Sequence, residues 1–255
     1  MRYIIIAMLS VLIAQESNKE LISFSSANPF SFEEIITDLE NQEAQEVFGI
    51  LTLPKNFNSN QKYPLIIGVA GSLNWSSHHL EYLKMYNEMG FATFQLQSFD
   101  SRDIQSTVGS QTEVTTAMVI LDSYRALEAL SQHPNIDVDK VGITGWSLGG
   151  GVSLYSAWLP LIDAINNRKF MFAAHLPIYP ACMAYPYPAE NMQFSTSPIH
   201  ILIGELDNWV PAAACTELIE KMHASGLPTN IEITIYENAH HSFDKVSAVT
   251  VNEKG

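Results

Sequence analysis

The stretch Val141-Gly142-Ile143-Thr144-Gly145-Trp146-Ser147-Leu148-Gly149-Gly150-Gly151-Val152 decides how this chain folds. A short apolar run stops at a serine framed by glycines, and small and apolar residues suited to a helix packed on a sheet continue from Gly150 to Trp158. A sharp strand-to-helix turn at this point lifts the Ser147 Oγ clear of the backbone. Gly145 and Gly149 lack the Cβ that would keep neighbouring main chain away. The same turn places the amide of Leu148 in the first turn of the helix. A negative charge developing beside Ser147 would there meet a backbone donor and the positive end of the helix dipole. Ser147 is therefore a candidate nucleophile.

Working outward, strand-like and helix-like segments alternate. Val47 to Leu53, closed by Pro54, and Leu65 to Val69 read as strands, and a helical stretch from about His79 to Met89 ends at Gly90. Phe91 to Leu96 is the next strand. A helix follows over about Gln111 to Ser131, with Ala117, Ile120, Leu121, Tyr124, Leu127 and Leu130 at helical spacing. Further strands are expected at Phe170 to Tyr179, Ile199 to Gly204 and Ile231 to Tyr236, with a helix over Pro211 to Ala224. This alternation implies an α/β fold: a mostly parallel central sheet with helices on both faces, right-handed crossovers, and ligands collected at the carboxyl ends of the strands. The catalytic domain is expected over residues 47–255. The polar, acidic segment Gln15 to Glu46 reads as an irregular arm or short helix.

Two other strand ends carry what a serine nucleophile needs. Asp207 follows Ile203-Gly204-Glu205-Leu206, and His241 follows Tyr236-Glu237-Asn238-Ala239-His240. A serine hydroxyl is a weak nucleophile, so an imidazole must take its proton and a carboxylate must hold that imidazole in one tautomer. The chain order Ser, Asp, His is the one found in α/β-hydrolases. Such chemistry calls for no cofactor and no metal.

These residues resemble the α/β-hydrolase superfamily, and within it the dienelactone hydrolase family, from about Val47 to Phe243. The resemblance rests on Gly145-Trp146-Ser147-Leu148-Gly149-Gly150, Gly204-Glu205-Leu206-Asp207-Asn208-Trp209-Val210-Pro211 and Tyr236-Glu237-Asn238-Ala239-His240-His241-Ser242-Phe243. It implies that the triad histidine stands two residues before a phenylalanine, which selects His241 over His240. It also implies a second oxyanion donor from the loop after Leu65 to Val69, where Ser72 is the candidate and Leu73 the reserve. Ala70-Gly71 stands where related enzymes often have His-Gly. Two features depart from the family's best-known members, which use a cysteine nucleophile and arginines that hold a substrate carboxylate. This chain has Ser147, and its only arginines are Arg2, Arg102, Arg125 and Arg168.

Arg102 alone among them lies near a strand end, where it would either contact substrate or pair with Asp100 or Asp103. Trp75, Trp146 and Trp209, with Tyr185 and Tyr187, are the candidate walls of an apolar pocket, each equally explained by ordinary packing. His78 and His79 are adjacent on a helix, lack a carboxylate spaced to join them in binding a metal, and read as a solvated helix start; His175 and His200 read as sheet residues.

A net charge of −14 repels phosphate backbones and excludes nucleic acid as a partner. It also steers away anions, so neutral small-molecule esters or lactones are the expected substrates. Met1 to Ala14, one early cation followed by an apolar run too short to span a bilayer, reads as a secretory signal peptide, and its alternative is a buried strand. A signal implies a secreted or periplasmic protein, and in that compartment Cys182 and Cys215, the only cysteines, can form a disulfide; otherwise they are two buried thiols. Nothing in the chain fixes an oligomeric state. The rival functions are an oligopeptidase-like serine peptidase and a non-catalytic binding protein on the same fold.

Overall fold

The computed structural model describes residues 18–182 and 191–246. An eight-stranded sheet has the order β1-β2-β4-β3-β5-β6-β7-β8. Its strands are β1 (Lys19–Ala27), β2 (Ala44–Thr52), β3 (Tyr63–Val69), β4 (Ala92–Leu96), β5 (Ile136–Trp146), β6 (Ala174–Ile178), β7 (Ile199–Gly204) and β8 (Ile231–Tyr236). β1 pairs antiparallel with β2, and β2 antiparallel with β4, while every pairing from β4 through β8 is parallel.

The segment Gln15 to Glu46, read as an irregular arm or short helix, does hold a short helix, but the first strand corrects the rest of that reading. Lys19–Ala27 runs in full register along β2, from Lys19 opposite Thr52 to Ala27 opposite Ala44. Its alternation of exposed and buried residues is confined to the second half, where Phe24, Ser26 and Ala27 turn inward. The first half is largely exposed, and that weak period hides the strand in the sequence. The helix α1 (Phe32–Thr37) follows, capped by the Ser31 hydroxyl accepting from the Glu34 amide. The sheet domain thus extends at least to Lys19.

The helices connecting the parallel strands are α2 (Ser77–Glu88), α3 (Thr116–Leu130), α4 (Leu148–Tyr155), α5 (Leu159–Asn166) and α6 (Ala212–Ala224). The path β3-α2-β4 steps one way along the sheet, and β4-α3-β5 steps back across β3. With right-handed crossovers, α2 and α3 therefore lie on opposite faces. α3 starts later than the sequence period suggests because Thr115 caps it, its hydroxyl accepting from the Met118 amide at 3.2 Å; the residues before it form a loop against Ser72.

The core is continuous across the sheet, with Leu65, Ile67, Phe94, Val141 and Ile201 among its fully buried strand residues. Cys182, after β6, is disulfide-bonded to Cys215 on α6. Among the described residues, no helix is long and apolar enough to cross a membrane. Met1 to Ala14 and the pair Tyr185 and Tyr187 lie outside the described residues.

Candidate active site

Ser147 occupies the turn between β5 and α4 with φ 56° and ψ −110°, a conformation that L residues avoid unless their surroundings enforce it. The surroundings do so through close main-chain contacts. A Cβ on Gly145 would lie 2.3 Å from the Gly149 carbonyl oxygen, and one on Gly149 would lie 2.3 Å from that of Val69. The Ser147 amide donates to the Ile178 carbonyl at 3.0 Å and so ties the turn to the end of β6.

The Asp207 and His241 loops are bound to one another before they reach Ser147. Gly204 ends β7, where a Cβ would sit 2.4 Å from the Ala239 carbonyl oxygen. The Leu206 amide donates to that carbonyl at 2.8 Å, and the Asn238 amide donates to the Glu205 carboxylate at 2.9 Å. Asp207 is buried, and its Oδ1 accepts from the Trp209 and Val210 amides, each at 3.0 Å. Its Oδ2 faces His241 Nδ1 at 2.7 Å, and His241 Nε2 stands 3.1 Å from Ser147 Oγ. With the Nδ1 proton donated to the carboxylate, Nε2 is left to accept from the serine hydroxyl. His240, by contrast, lines the cleft without joining this line.

The imidazole of His241 lies between two aromatic rings. Trp209 stacks on it with centroids 5.2 Å apart and planes 21° apart, and Tyr179 meets it edge-on at 4.7 Å. Both rings pack directly against the imidazole and hold its plane in place.

Sequence reasoning missed Asp244. Its side chain is buried, accepting from Trp146 Nε1 and from the Tyr179 hydroxyl, both at 2.9 Å, and lying 3.7 Å from His78 Nε2. One carboxylate therefore joins the residue before Ser147 to the ring that touches His241. The available signal was an acidic residue three positions after His241, which by itself looks like any surface aspartate. Burial and the neighbouring carboxylate raise the Tyr179 hydroxyl far above its usual range, so it stays a donor.

His78 and His79 are buried, which overturns their reading as a solvated helix start. His79 Nδ1 accepts from the Ser76 amide at 3.2 Å, and its ring stacks on Trp146 at 4.3 Å. Desolvation, then the neighbouring His78, lowers the His79 pKa to about 3. Desolvation also lowers His78, against the pull of Asp244. His175 is buried among Ser153 and Ser156, its Nδ1 2.8 Å from the Ser153 carbonyl oxygen, with its pKa lowered by burial to about 4. His200 Nε2 pairs with Thr234 Oγ1 at 2.8 Å across β7 and β8. No group of metal-binding side chains is found among the described residues.

Arg102 is not a substrate ligand. Its guanidinium makes a two-pronged pair with Asp122 on α3 at 2.8 and 3.1 Å, donates to Asn28 Oδ1 at 2.7 Å and reaches the Ser98 and Ala27 carbonyls. Neither Asp100 nor Asp103 is its partner. Trp75 also drops out of the pocket wall: Nε1 donates to the Leu96 carbonyl at 3.0 Å and the ring packs against Trp146 and His79. Trp146, Leu148, Ser72 and Trp209 do line the cleft around Ser147. Gly71, just ahead of Ser72, passes so close that a Cβ there would lie 3.7 Å from Ser147 Cβ. The Ser72 carbonyl is held by the Thr107 amide at 2.9 Å, and its hydroxyl pairs with Gln111.

The dienelactone hydrolase family model matches residues 84–254, a span that takes in all three of these side chains. The chain belongs to the dienelactone hydrolase family. A curated Bradyrhizobium sp. protein named "Probable 2-oxo-3-(5-oxofuran-2-ylidene)propanoate lactonase" is 27% identical over 126 residues, covering 49% of this chain. The match spans 48%, about half, of that relative's length. Among solved structures, a candidate dienelactone hydrolase from Klebsiella pneumoniae superposes with TM-score 0.61 at 17% identity, covering 88% of each chain. Thermogutta terrifontis esterase 2 with bound propionate superposes with TM-score 0.63 at 16% identity, covering 86% of this chain and 85% of that one. At such identities the likeness to the solved structures is one of fold.

Proposed function

We propose that this member of the dienelactone hydrolase family is a serine hydrolase that cleaves neutral carboxylic esters or lactones through an acyl-enzyme on Ser147. The observation that carries the proposal is the unbroken line Ser147 Oγ, His241 Nε2, His241 Nδ1, Asp207 Oδ2, with gaps of 3.1 and 2.7 Å, opening into a cleft. Membership of the family and the lactonase and esterase names of its relatives support the same reaction class.

In the first step Ser147 Oγ attacks the ester carbonyl carbon while His241 Nε2 accepts the hydroxyl proton. The carbonyl oxygen becomes an oxyanion that takes hydrogen bonds from the Leu148 and Ser72 amides. Leu148 is the first residue of α4, so its amide has no intrahelical partner, and the close approach of Gly71 to Ser147 supports Ser72, the next residue, as the second donor. The tetrahedral species collapses, His241 returns the proton to the leaving alkoxide, and an acyl-Ser147 remains. A water deprotonated by His241 repeats the attack and frees the acid.

A fluorophosphonate probe tests the reading: it should label Ser147, and Ser147→Ala should lose both the label and about a millionfold in kcat on p-nitrophenyl esters. A peptide tested beside the esters separates the peptidase alternative, and an unlabelled, inert Ser147 would mark a binding protein instead. We further propose a secreted or periplasmic location, which the Cys182–Cys215 disulfide supports because such bonds persist in oxidising compartments.

A further inference from the structure

The cleft around Ser147 encloses about 1260 Å³, above the roughly 300–1,000 Å³ usual for small-molecule sites. Four large apolar side chains that the fold leaves exposed all face it: Phe30 at 51%, Leu73 at 60%, Val108 at 46% and Trp209 at 53%. Exposed apolar side chains scattered singly need no explanation, but gathered on one concave surface they mark a binding site.

These four divide about the nucleophile. Trp209 stacks on the His241 ring and so lies on the histidine side. Leu73 follows the Ser72 oxyanion candidate, and Val108 lies in the loop whose Thr107 amide and Gln111 side chain bind Ser72. Phe30 joins that flank because the Pro29 carbonyl accepts from the Thr115 hydroxyl at the end of the same loop. The chemistry then assigns the halves of the substrate. His241 must reach the leaving oxygen to protonate it, so the alcohol half sits on the histidine side against Trp209. The acyl half extends along Leu73, Val108 and Phe30.

Charge points the same way. Histidines aside, the only ionisable acid and base lining the cleft among the described residues are Glu237 and Lys245, which offset each other. Arg102 is consumed by Asp122, and among the described residues no arginine lines the cleft to meet a substrate carboxylate.

Resting on the serine-hydrolase reading above, we infer that the substrates are uncharged esters apolar on both sides of the scissile bond: a medium-length or bulky acyl chain, and an aromatic alcohol that lies on Trp209. Four measurements of kcat/KM test this in the full-length protein. Across p-nitrophenyl acetate, butyrate and octanoate, kcat/KM should rise by about two- to fourfold per added methylene until the wall is filled. The mono-p-nitrophenyl ester of glutaric acid, with a free carboxylate, should fall at least tenfold below the butyrate. The double variant Phe30→Ala/Val108→Ala should shrink the octanoate-to-acetate ratio. Trp209→Ala should shrink the ratio of benzyl to methyl octanoate, two alcohols of similar acidity. Ratios within one variant cancel any shared effect on the triad.

Preference for acetate or the glutarate ester, or ratios unmoved by the variants while Ser147 still takes the fluorophosphonate label, would overturn this inference and leave the hydrolase standing. An unlabelled Ser147 with no ester turned over would overturn both.

Discussion

Replacing Arg102 with methionine should cost stability and leave ester hydrolysis intact. The guanidinium side chain is 5% exposed and Asp122 is fully buried, so the variant strands a carboxylate in the core with the Ser26 hydroxyl, at 2.6 Å, as its remaining donor. Breaking a buried pair by removing one partner costs about 3–5 kcal/mol. Asn28 Oδ1 and the Ser98 and Ala27 carbonyls lose a donor as well, which places the loss at the upper end of that range. For a chain of this size the equivalent fall in Tm is about 6–20 °C, read by differential scanning calorimetry. Arg102→Lys keeps the charge but not the planar fork, and should fall between. Arg102→Met/Asp122→Leu removes both charges and should recover most of the loss. At a temperature well below the transition, kcat/KM for p-nitrophenyl butyrate should stay within about twofold of the parent. A variant that keeps its Tm within about 2 °C and loses activity selectively on an ester bearing a carboxylate would refute this reasoning and restore Arg102 as a substrate ligand.

Asp207→Asn should preserve the fold while favouring the wrong tautomer of His241, with kcat lower by about ten-thousandfold in ester assays. Asp244→Asn leaves one of the two donors from Trp146 and Tyr179 without an acceptor. The shift of the rings around the triad should lower kcat by about tenfold with KM little changed, whereas a general loss of folding would lower the active fraction, measured by probe titration, instead. Reducing the disulfide opens a loop of sequence separation 33, worth about 4 kcal/mol by the chain-entropy relation, so dithiothreitol should lower the Tm by about 8–16 °C. His79 and His175 have pKa values lowered to about 3 and about 4, so the unfolded chain binds the extra protons. Stability is full above about pH 6.5 and declines as the pH falls toward 4, by an amount on the order of 3 kcal/mol for each group. His175→Gln should make the acid limb of a urea-midpoint profile shallower.

The parallel half of the sheet and the meeting of Ser147, Asp207 and His241 were legible because each leaves a local mark. Leu65 to Val69 in β3 and Val141 to Trp146 in the second half of β5 are largely apolar runs with glycines near their ends, and Ser147, Asp207 and His241 each sit a few residues past a strand end. What escaped notice depends on partners distant in sequence. Lys19–Ala27 becomes a strand only by lying along β2, and its exposed half carries no period of its own. The sequence presents Arg102 beside two aspartates, yet its partner lies 20 positions away on α3, since the direction of a long side chain is set by packing. Asp244 reads as a surface charge until the ends of β5 and β6 enclose it. His78 and His79 look hydrophilic in isolation, and Trp146 covers the His79 ring.

The backbone at Ser147 holds a tension that only the reaction justifies. A residue with φ 56° and ψ −110° sits uphill by about 1–3 kcal/mol, and glycine would relieve much of it. Ser147→Gly should therefore melt at a higher temperature than the parent while turning over nothing. A screen that rewarded thermal resistance alone would discard Ser147 among its first gains, so the strain at this turn persists only where the serine hydroxyl is itself under selection.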